Sequence, residues 1–421
     1  PKNHFALPYS YTNLFSEYFK FSGELYNNKE TIDVKPYTLL ELQIDLKVEK
    51  FEKDIGVCER FVNELNIFDL FTVGYYIFPA IIQFQNLKSL NLRKCSVSYS
   101  AWCIVNYTLN CLVSLKIDDV TFIVSTMEEF DESKIILGNY LRELKVDACN
   151  YWITDLPWET NKFIFNTVED KNHDPVKLPL ICIPTLREAA FSNYKVQGGW
   201  LAKFLILNPQ LIAITIDLSQ IDQSAINTLA KSSNLNEFNI QCWGPEPSNN
   251  RTLEFSKISS IKTLNIEYLC ELSCDFIRDI ILSCDNLNSL KYSLSVFSDC
   301  QTVITSFYTN TAPKLQNLKY LNIESGFEEL MDLDLKNFSS VEHLEVGNCD
   351  QIVMDLELPN YATLLKKLTI YYDERNFKVE DIKKKFEKFT NWKCKFKKDK
   401  IVCLKLNNKN LLNYLVEIRG I

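Results

Sequence analysis

Glycine is scarce in this sequence of 421 residues, which has only 10 glycines and no match to the phosphate-binding patterns GxGxxG and GxxxxGK[ST]. Histidine is rarer still. None of the three, His4, His173 and His343, is followed three or four positions later by a second metal-ligating residue. The patterns HExxH and GxSxG are also missing. We therefore expect no cofactor and no metal ion, and we interpret the chain as not being an enzyme.

Cysteine is plentiful, with 14 residues, but its spacing is irregular. No CxxC pair occurs, and the nearest approach is Cys270 and Cys274, so neither structural zinc nor a disulfide scaffold is indicated. Because cysteine behaves as a small hydrophobe in a reducing compartment, we expect free, buried thiols and a cytoplasmic or nuclear protein. The glycosylation sequons at Asn106, Asn250 and Asn337 leave a secreted or surface protein as an alternative.

Long apolar runs are missing as well. No run reaches the ~18 residues that a transmembrane helix needs, so we expect no membrane association. The formal net charge of −8 and the pI near 5.3 disfavour nucleic acid as a partner. The sequence is nevertheless 46% hydrophobic, which is enough to build a large core.

One apolar pattern recurs along most of the chain. The stretch LKSLNLRKC (87–95) fits the template apolar-x-x-apolar-x-apolar, and successive matches begin 23 to 31 residues apart, with one step of 45. The matches are Leu39/Leu42/Ile44, Val62/Leu65/Ile67, Leu87/Leu90/Leu92, Leu112/Leu115/Ile117, Leu141/Leu144/Val146, Leu186/Ala189/Phe191, Leu211/Ile214/Ile216, Leu235/Phe238/Ile240, Ile261/Leu264/Ile266, Leu287/Leu290/Tyr292, Leu318/Leu321/Ile323, Val341/Leu344/Val346 and Leu365/Leu368/Ile370. Such a period indicates stacked repeats, and Ile401/Leu404/Leu406 is a possible further match.

The pattern resembles the leucine-rich repeat, LxxLxLxx[N/C]xL. Cys95, Cys149 and Cys349 occupy the N/C position, and Val120, Tyr194 and Trp243 replace it elsewhere. This usage is similar to the cysteine-containing repeats of the F-box/leucine-rich-repeat family. The resemblance implies an α/β solenoid (horseshoe) of about 13 repeats, with a parallel concave sheet and helices on the convex side.

Three regions follow from the repeat pattern: an N-terminal segment at 1–38, the solenoid at 39–375 and a capping helix and hairpin at 376–421. Within the solenoid, the long step contains an irregular insertion at 150–184. We interpret this insertion as a divergent repeat with a surface loop, or as a loop that presents aromatic side chains such as Phe163 to a partner. The basic, aromatic stretch at 381–406 is interpreted as the cap, with nucleobase stacking as the alternative.

The N-terminal stretch LPYSYTNLFSEYF (7–19) resembles the opening of an F-box, LPxExLxxIFxxL. Leu7, Pro8, Leu14, Phe15 and Phe19 carry this resemblance, and Tyr9–Thr12 depart from it. The resemblance implies binding to Skp1 through Leu7, Pro8, Leu14 and Phe15. A capping helix over the first repeat is the alternative interpretation.

The third, fifth and seventh residues, counted from each leading apolar residue, are predicted to face the concave surface. These positions hold twelve acidic and five basic residues, a net charge of −7, and several amides. We expect a partner protein with a basic segment to bind there. The predicted partner-binding residues are Glu64, Asn91, Arg93, Lys116, Asp118, Glu143, Lys145, Asp147, Glu188, Asp217, Glu237, Asn239, Asn265 and Glu267.

These patterns together predict a non-catalytic scaffold for protein–protein interaction. The family resemblance implies that it recruits substrates to a Skp1–cullin–F-box ubiquitin ligase. A constitutive subunit of a larger intracellular complex and a secreted or surface receptor-like protein are the alternatives.

Overall fold

A computed structural model describes residues 46, 48–54, 56, 60–84, 86–109, 111–135, 140–158, 163, 173–177, 179–192, 198–242, 253–269, 274–294, 307–324, 335, 339–347, 356–358, 364–372, 379–397 and 399–406. The N-terminal segment 1–38, with its F-box-like residues, lies outside these ranges. So do the first template match and two of the twelve acidic residues counted at the outward-facing positions, Glu41 and Asp45. The N/C-position residues Tyr194, Trp243 and Cys349 also lie outside the described residues, and their predicted roles stay predictions.

The chain divides into two compact units, Pro1–Gln210 and Leu211–Ile421. In the first unit, five strands lie parallel in the order β1-β2-β3-β4-β7. The strands of this unit are β1 (Glu64–Phe71), β2 (Ser89–Ser98), β3 (Ser114–Val124), β4 (Glu143–Asp147), β5 (Asn150–Ile153), β6 (Asp174–Pro175) and β7 (Glu188–Ser192). Its described helical segments include residues 48–54, α1 (Gly74–Ile77), α2 (Tyr99–Thr108) and α3 (Trp200–Leu207), with 3-10 turns at Phe78–Gln83, Glu132–Lys134 and Leu156–Trp158.

In the second unit, seven parallel strands follow one another in chain order and a two-stranded hairpin continues the sheet antiparallel. The strands are β8 (Ala213–Asp217), β9 (Glu237–Gln241), β10 (Thr263–Leu269), β11 (Ser289–Leu294), β12 (Tyr320–Glu324), β13 (His343–Gly347), β14 (Lys367–Tyr371), β15 (Trp392–Phe396) and β16 (Lys400–Lys405). The helical segments are α4 (Gln223–Lys231), α5 (Cys274–Ser283), α6 (Val379–Phe386), the 3-10 turns Leu218–Gln220 and Ala312–Lys314, and the π-turn Phe307–Thr311. The possible match at Ile401 therefore belongs to the hairpin and is not a further parallel repeat.

The template positions form the core. In every described repeat the first, fourth and sixth residues are buried, from Val62, Leu65 and Ile67 through Leu365, Leu368 and Ile370. Alternate residues of a strand point to opposite faces, so the residues between them face away from this core. The leucine-rich-repeat solenoid predicted from the sequence is confirmed in the described part of each unit: parallel strands recur at the template positions and share a continuous apolar layer.

In ten of the described repeats, one backbone carbonyl joins the repeat to the next one. The carbonyl oxygen at the second template position accepts hydrogen bonds from two successive N–H groups, those of the second and third positions of the following repeat, at 2.7–3.1 Å. These carbonyls belong to Asn63, Lys88, Val113, Arg142, Ile212, Asn236, Lys262, Asn288, Lys319 and Glu342. The contact fixes the register, so like positions of neighbouring strands lie side by side.

A residue with left-handed backbone geometry recurs at the eighth position, within β1, β2, β3 and β10 and directly after β4. Its φ is +50° at Lys94, +53° at Asp119 and +46° at Ala148, and Asp69 and Tyr268 behave alike. The turn directs the ninth residue inward, and Cys95 and Cys149 are buried there, as the N/C position predicts. Burial raises the pKa of the Cys95 thiol to about 12, so Cys95 remains protonated and acts as a core residue.

The insertion folds against the first unit. Strand β5 pairs in parallel with the Thr121–Val124 end of β3. Phe163 is fully buried and its ring contacts those of Tyr75, Tyr76 and Trp152 at centroid distances of 5.6–6.1 Å. Phe163 is therefore a core residue, and the interpretation in which it is presented to a partner is wrong. Phe165, a second phenylalanine of the insertion, lies outside the described residues.

A buried asparagine forms hydrogen bonds with the C-terminal end of the insertion. Asn208, at the C-terminal cap of α3, is fully buried. Its Oδ1 accepts the Ile183 N–H at 2.9 Å, and its Nδ2 donates to the carbonyls of Ile181 and Phe204 at 2.9 and 3.0 Å. All the hydrogen-bonding groups of the amide are thereby satisfied, which offsets the cost of burying it.

The left-handed turn generates a test of stability. We expect Lys94→Gly to raise the free energy of unfolding by about 0.5–1 kcal/mol, because glycine adopts positive φ without the steric cost of a Cβ. Lys145→Gly is the matched control within strand β4, where glycine should lower the free energy of unfolding by about 0.5–1 kcal/mol. Urea unfolding followed by circular dichroism measures both. Equal destabilisation by the two changes would show that the turn carries no strain.

Candidate protein-binding faces

Each unit has a polar face, formed by the third, fifth and seventh positions of its parallel strands. On the first unit's polar face lie the predicted residues Glu64, Asn91, Arg93, Lys116, Asp118, Glu143, Lys145, Asp147 and Glu188. On the second lie Glu237, Asn239, Asn265 and Glu267. The structure therefore places these predicted residues on two faces, one in each unit.

Ion pairs between neighbouring strands neutralise much of the first polar face. Lys116 Nζ lies 2.6 Å from Glu143 Oε1, and Ser114 Oγ donates to the other oxygen of Glu143 at 2.7 Å. Arg93 Nε lies 3.4 Å from Asp118 Oδ2, directly across the β2–β3 ladder. These pairs are partly exposed and contribute at most ~1 kcal/mol each to stability. Their main effect is to neutralise, within this chain, acidic residues that the sequence analysis expected a basic partner to bind.

The second polar face is also partly neutralised, at β11–β14. Lys291 Nζ lies 3.2 Å from Glu324 Oε2, and Lys367 Nζ lies 3.3 Å from Glu345 Oε1. Burial, and then the nearby Glu345 charge, raise the pKa of Tyr320 to about 12, so its hydroxyl is neutral at physiological pH.

Asp217 does not belong to the accessible face. Its side chain is only 5% exposed, where β8 runs into the turn Leu218–Gln220. The prediction that Asp217 contacts a partner is therefore wrong. Strand alternation places position seven outward in the template, but the chain turns directly after Asp217 and this residue is buried.

Amide side chains on β9 and β10 form a hydrogen-bonded row. Asn265 Nδ2 donates to Asn239 Oδ1 at 2.6 Å, and Asn239 Nδ2 donates to Thr215 Oγ1 at 3.0 Å. The row exists because these residues occupy the fifth position of adjacent strands, and the parallel register sets Asn239 opposite Asn265. Direct cross-strand neighbours have Cβ atoms about 5 Å apart, within reach of two amides.

The same amides position two carboxylates. Glu237 Oε1 accepts from Asn239 Nδ2 at 3.1 Å and from Asn265 Nδ2 at 3.5 Å. Glu267 Oε2 accepts from Gln241 Nε2 at 3.2 Å. We call Glu237, Asn239, Gln241, Asn265 and Glu267 the amide–carboxylate platform. Gln241 was missed in the sequence prediction, although it is an amide at the seventh position of a strand that carries Asn239.

Among the described residues, no basic side chain offsets the carboxylates of the platform. In the ranges that the structure describes, lysine and arginine form no ion pair with Glu237 or Glu267, whose recorded partners are neutral amides. A neutral donor orients a carboxylate without cancelling its charge, and both side chains are half-exposed. The platform can therefore accept charge-assisted hydrogen bonds from lysine or arginine.

The basic C-terminal stretch does not form a base-stacking surface. Phe386, Phe389 and Trp392 are buried, and Phe386 contacts Phe389 and Phe396 edge-on. The lysines lie around this core, as Lys388 does, 2.8 Å from Glu357. Nucleobases stack on exposed aromatic rings, which these three are not.

The described residues contain no group of three or more His, Cys, Asp or Glu side chains placed to hold a metal ion. In the same residues, no helix is both long enough and apolar enough to cross a bilayer.

The amide row generates a second stability test. We expect Asn239→Ala to lower the free energy of unfolding by about 1–2 kcal/mol, because it leaves hydrogen-bonding groups of Thr215 and Asn265 without their partner. Asn322→Ala is the matched control, since Asn322 occupies the same position on β12 and donates to Glu324 in its own strand. Asn322→Ala should lower the free energy of unfolding by about 0.5 kcal/mol. Chemical unfolding of both variants measures the difference, and equal losses would argue against a cooperative row.

No family model matches this sequence, and no curated protein sequence is significantly similar to it. Among solved structures, the chain is similar to an internalin (inlF) from Listeria monocytogenes, with a TM-score of 0.34 and 14% identity over 70% of this chain and 76% of the internalin chain. It is also similar to a chain of the LRIM1/APL1C complex, with a TM-score of 0.30 and 12% identity over 81% of this chain. The match spans 64% of that second chain, just under two thirds of its length.

Proposed function

We propose that this protein is a non-catalytic scaffold for protein–protein interaction and that the amide–carboxylate platform binds a basic segment of its partner. The observation that supports the proposal is the pairing of Glu237 and Glu267 with neutral amides. Other acids of the two polar faces, such as Glu143 and Glu345, already pair with lysines of this chain. A carboxylate that is oriented but not neutralised is complementary to a lysine or arginine.

The register of the platform defines the spacing of the partner's charges. Glu237 lies opposite Thr263, and Glu267 is four residues further along β10. At about 3.3 Å per residue and 4.8 Å between strands, the two glutamates are separated by roughly 14 Å. In an extended peptide, residues four apart point to the same side and are separated by about 13 Å. We therefore infer that the bound segment is extended, runs along the strands and carries two basic residues at this spacing.

Peptide binding tests this proposal directly. We expect a fluorescently labelled peptide with two lysines four residues apart to bind more tightly than one with lysines two residues apart. Glu237→Gln and Glu267→Gln should each weaken binding about tenfold, because each removes one charge-assisted contact of about 1.4 kcal/mol. Fluorescence anisotropy measures the affinities, which should fall as salt is raised.

The matched control is Asp285→Asn, which removes a carboxylate at an exposed turn before β11, away from the platform. It should leave the affinity unchanged. Binding that is insensitive to salt, or that survives both glutamate substitutions, would contradict a basic-segment site on the platform. A preference for a glutamate-containing peptide would contradict it as well.

We propose the ubiquitin-ligase adaptor role as a finer alternative, favoured by the F-box-like residues of the stretch at 7–19. Skp1 should then co-purify with the full chain, and replacement of Leu7, Pro8 and Phe15 by alanine should abolish the co-purification. Stoichiometric partners without Skp1, identified by mass spectrometry, would instead support a structural subunit. Glycans on Asn106, Asn250 or Asn337 would support a secreted or surface protein.

A further inference from the structure

Two cysteines face each other across the hairpin at the C-terminal end of the second unit. Cys394 on β15 and Cys403 on β16 are partners in the antiparallel register, and their Sγ atoms lie 3.1 Å apart. Both are free thiols. Cys403 is fully buried beside the last parallel strand, opposite Leu368, whereas Cys394 is half-buried.

The hydrogen bonds of the hairpin show whether Cys394 and Cys403 form a hydrogen-bonded or a non-hydrogen-bonded pair of the ladder. Lys397 N–H donates to the Lys400 carbonyl at 2.8 Å, and Leu406 N–H donates to the Asn391 carbonyl at 2.9 Å. Hydrogen-bonded and non-hydrogen-bonded pairs alternate along an antiparallel ladder. The Cys394–Cys403 pair is three steps from each of these pairs and is therefore non-hydrogen-bonded. Pairs of this kind bring the Cα atoms to about 4.5 Å, within the range that a disulfide spans.

We propose that Cys394 and Cys403 are a redox-active pair that a low-molecular-weight disulfide oxidises to an intramolecular disulfide. The two sulfur atoms need to approach by about 1 Å to reach the bond length of about 2.05 Å. The change is small because the register has already aligned the side chains. The proposal is independent of the amide–carboxylate platform, which lies on other strands of the unit.

Cys394 is the first nucleophile. A hydrogen bond with the Cys403 thiol lowers the pKa of Cys394, whereas the same hydrogen bond and burial raise the pKa of Cys403. The Cys394 thiolate attacks one sulfur of the small disulfide, forms a mixed disulfide and releases one small thiolate, which takes up a proton. Cys403 then loses its proton and attacks Cys394 Sγ, which releases the second small thiol. Two protein thiols are oxidised, and one small disulfide is reduced to two thiols.

The new bond would fasten the outermost described strand of the sheet. Strand β15 pairs with β16, and β16 pairs with the last parallel strand, β14. A covalent link at the centre of the hairpin prevents β15 from separating from β16 when the end of the sheet opens locally.

Peptide mapping of the full chain tests the proposal. The protein is incubated with glutathione disulfide, its remaining thiols are alkylated, and the digest is analysed by mass spectrometry. We expect a peptide pair joined through Cys394 and Cys403, and glutathione as a mixed disulfide on the exposed Cys111 and Cys182. Tryptic cleavage between Lys395 and Lys400 should slow several-fold after oxidation and return to its original rate after reduction.

Single substitutions separate the two steps. In Cys403→Ser, the mixed disulfide on Cys394 should persist, because no thiol is present to displace glutathione. In Cys394→Ser, Cys403 should remain reduced. Wild-type protein in which glutathione remains on Cys394, or in which both thiols stay reduced while Cys111 is modified, would overturn the proposal. The peptide map of the wild-type protein tests the proposal even if a variant fails to fold.

Discussion

The carbonyl at the second position of ten described repeats fixes the register between neighbouring strands within each unit. Because it accepts two consecutive N–H groups of the following repeat, the neighbouring strand can start at only one place. A shift by one residue would turn every buried leucine to the solvent face. The shared apolar core, the recurring left-handed turn and the alignment of side chains on the polar faces all follow from this register.

The register also explains the chemistry of the second polar face. Asn239 and Asn265 contact each other only because both occupy the fifth position of adjacent strands. Their amide groups then orient Glu237, and Gln241 orients Glu267 in the same way. On the first polar face the same alignment has the opposite effect, because it brings Lys116 near Glu143 and Arg93 opposite Asp118. The same register thus produces ion pairs on parts of both polar faces and the amide–carboxylate platform on β9 and β10.

The core could be predicted from the sequence because burial depends on a local spacing, and the spacing of Leu87, Leu90 and Leu92 is visible in nine residues. The burial of Cys95 and Cys149 follows from the same repeat. The charge of the polar faces could not be predicted, because it depends on which residues of different repeats meet. Counting acids treats Glu143 and Glu237 alike, yet Lys116 neutralises one and amides orient the other. The burial of Asp217 depends on how the chain turns after β8, which the repeat template does not encode.

Because the hydrogen bonds between repeats join main-chain atoms, these bonds place almost no demand on side-chain identity. The accepting carbonyls belong to residues as different as Asn63, Lys88 and Val113. A duplicated segment of 23 to 31 residues would bring its own acceptor and its own pair of donors, so it could join its neighbours without compensating substitutions. Gene duplication can therefore lengthen such a chain by whole repeats. Selection is then left to act on the outward-facing residues, where each added strand supplies three new positions for recognition.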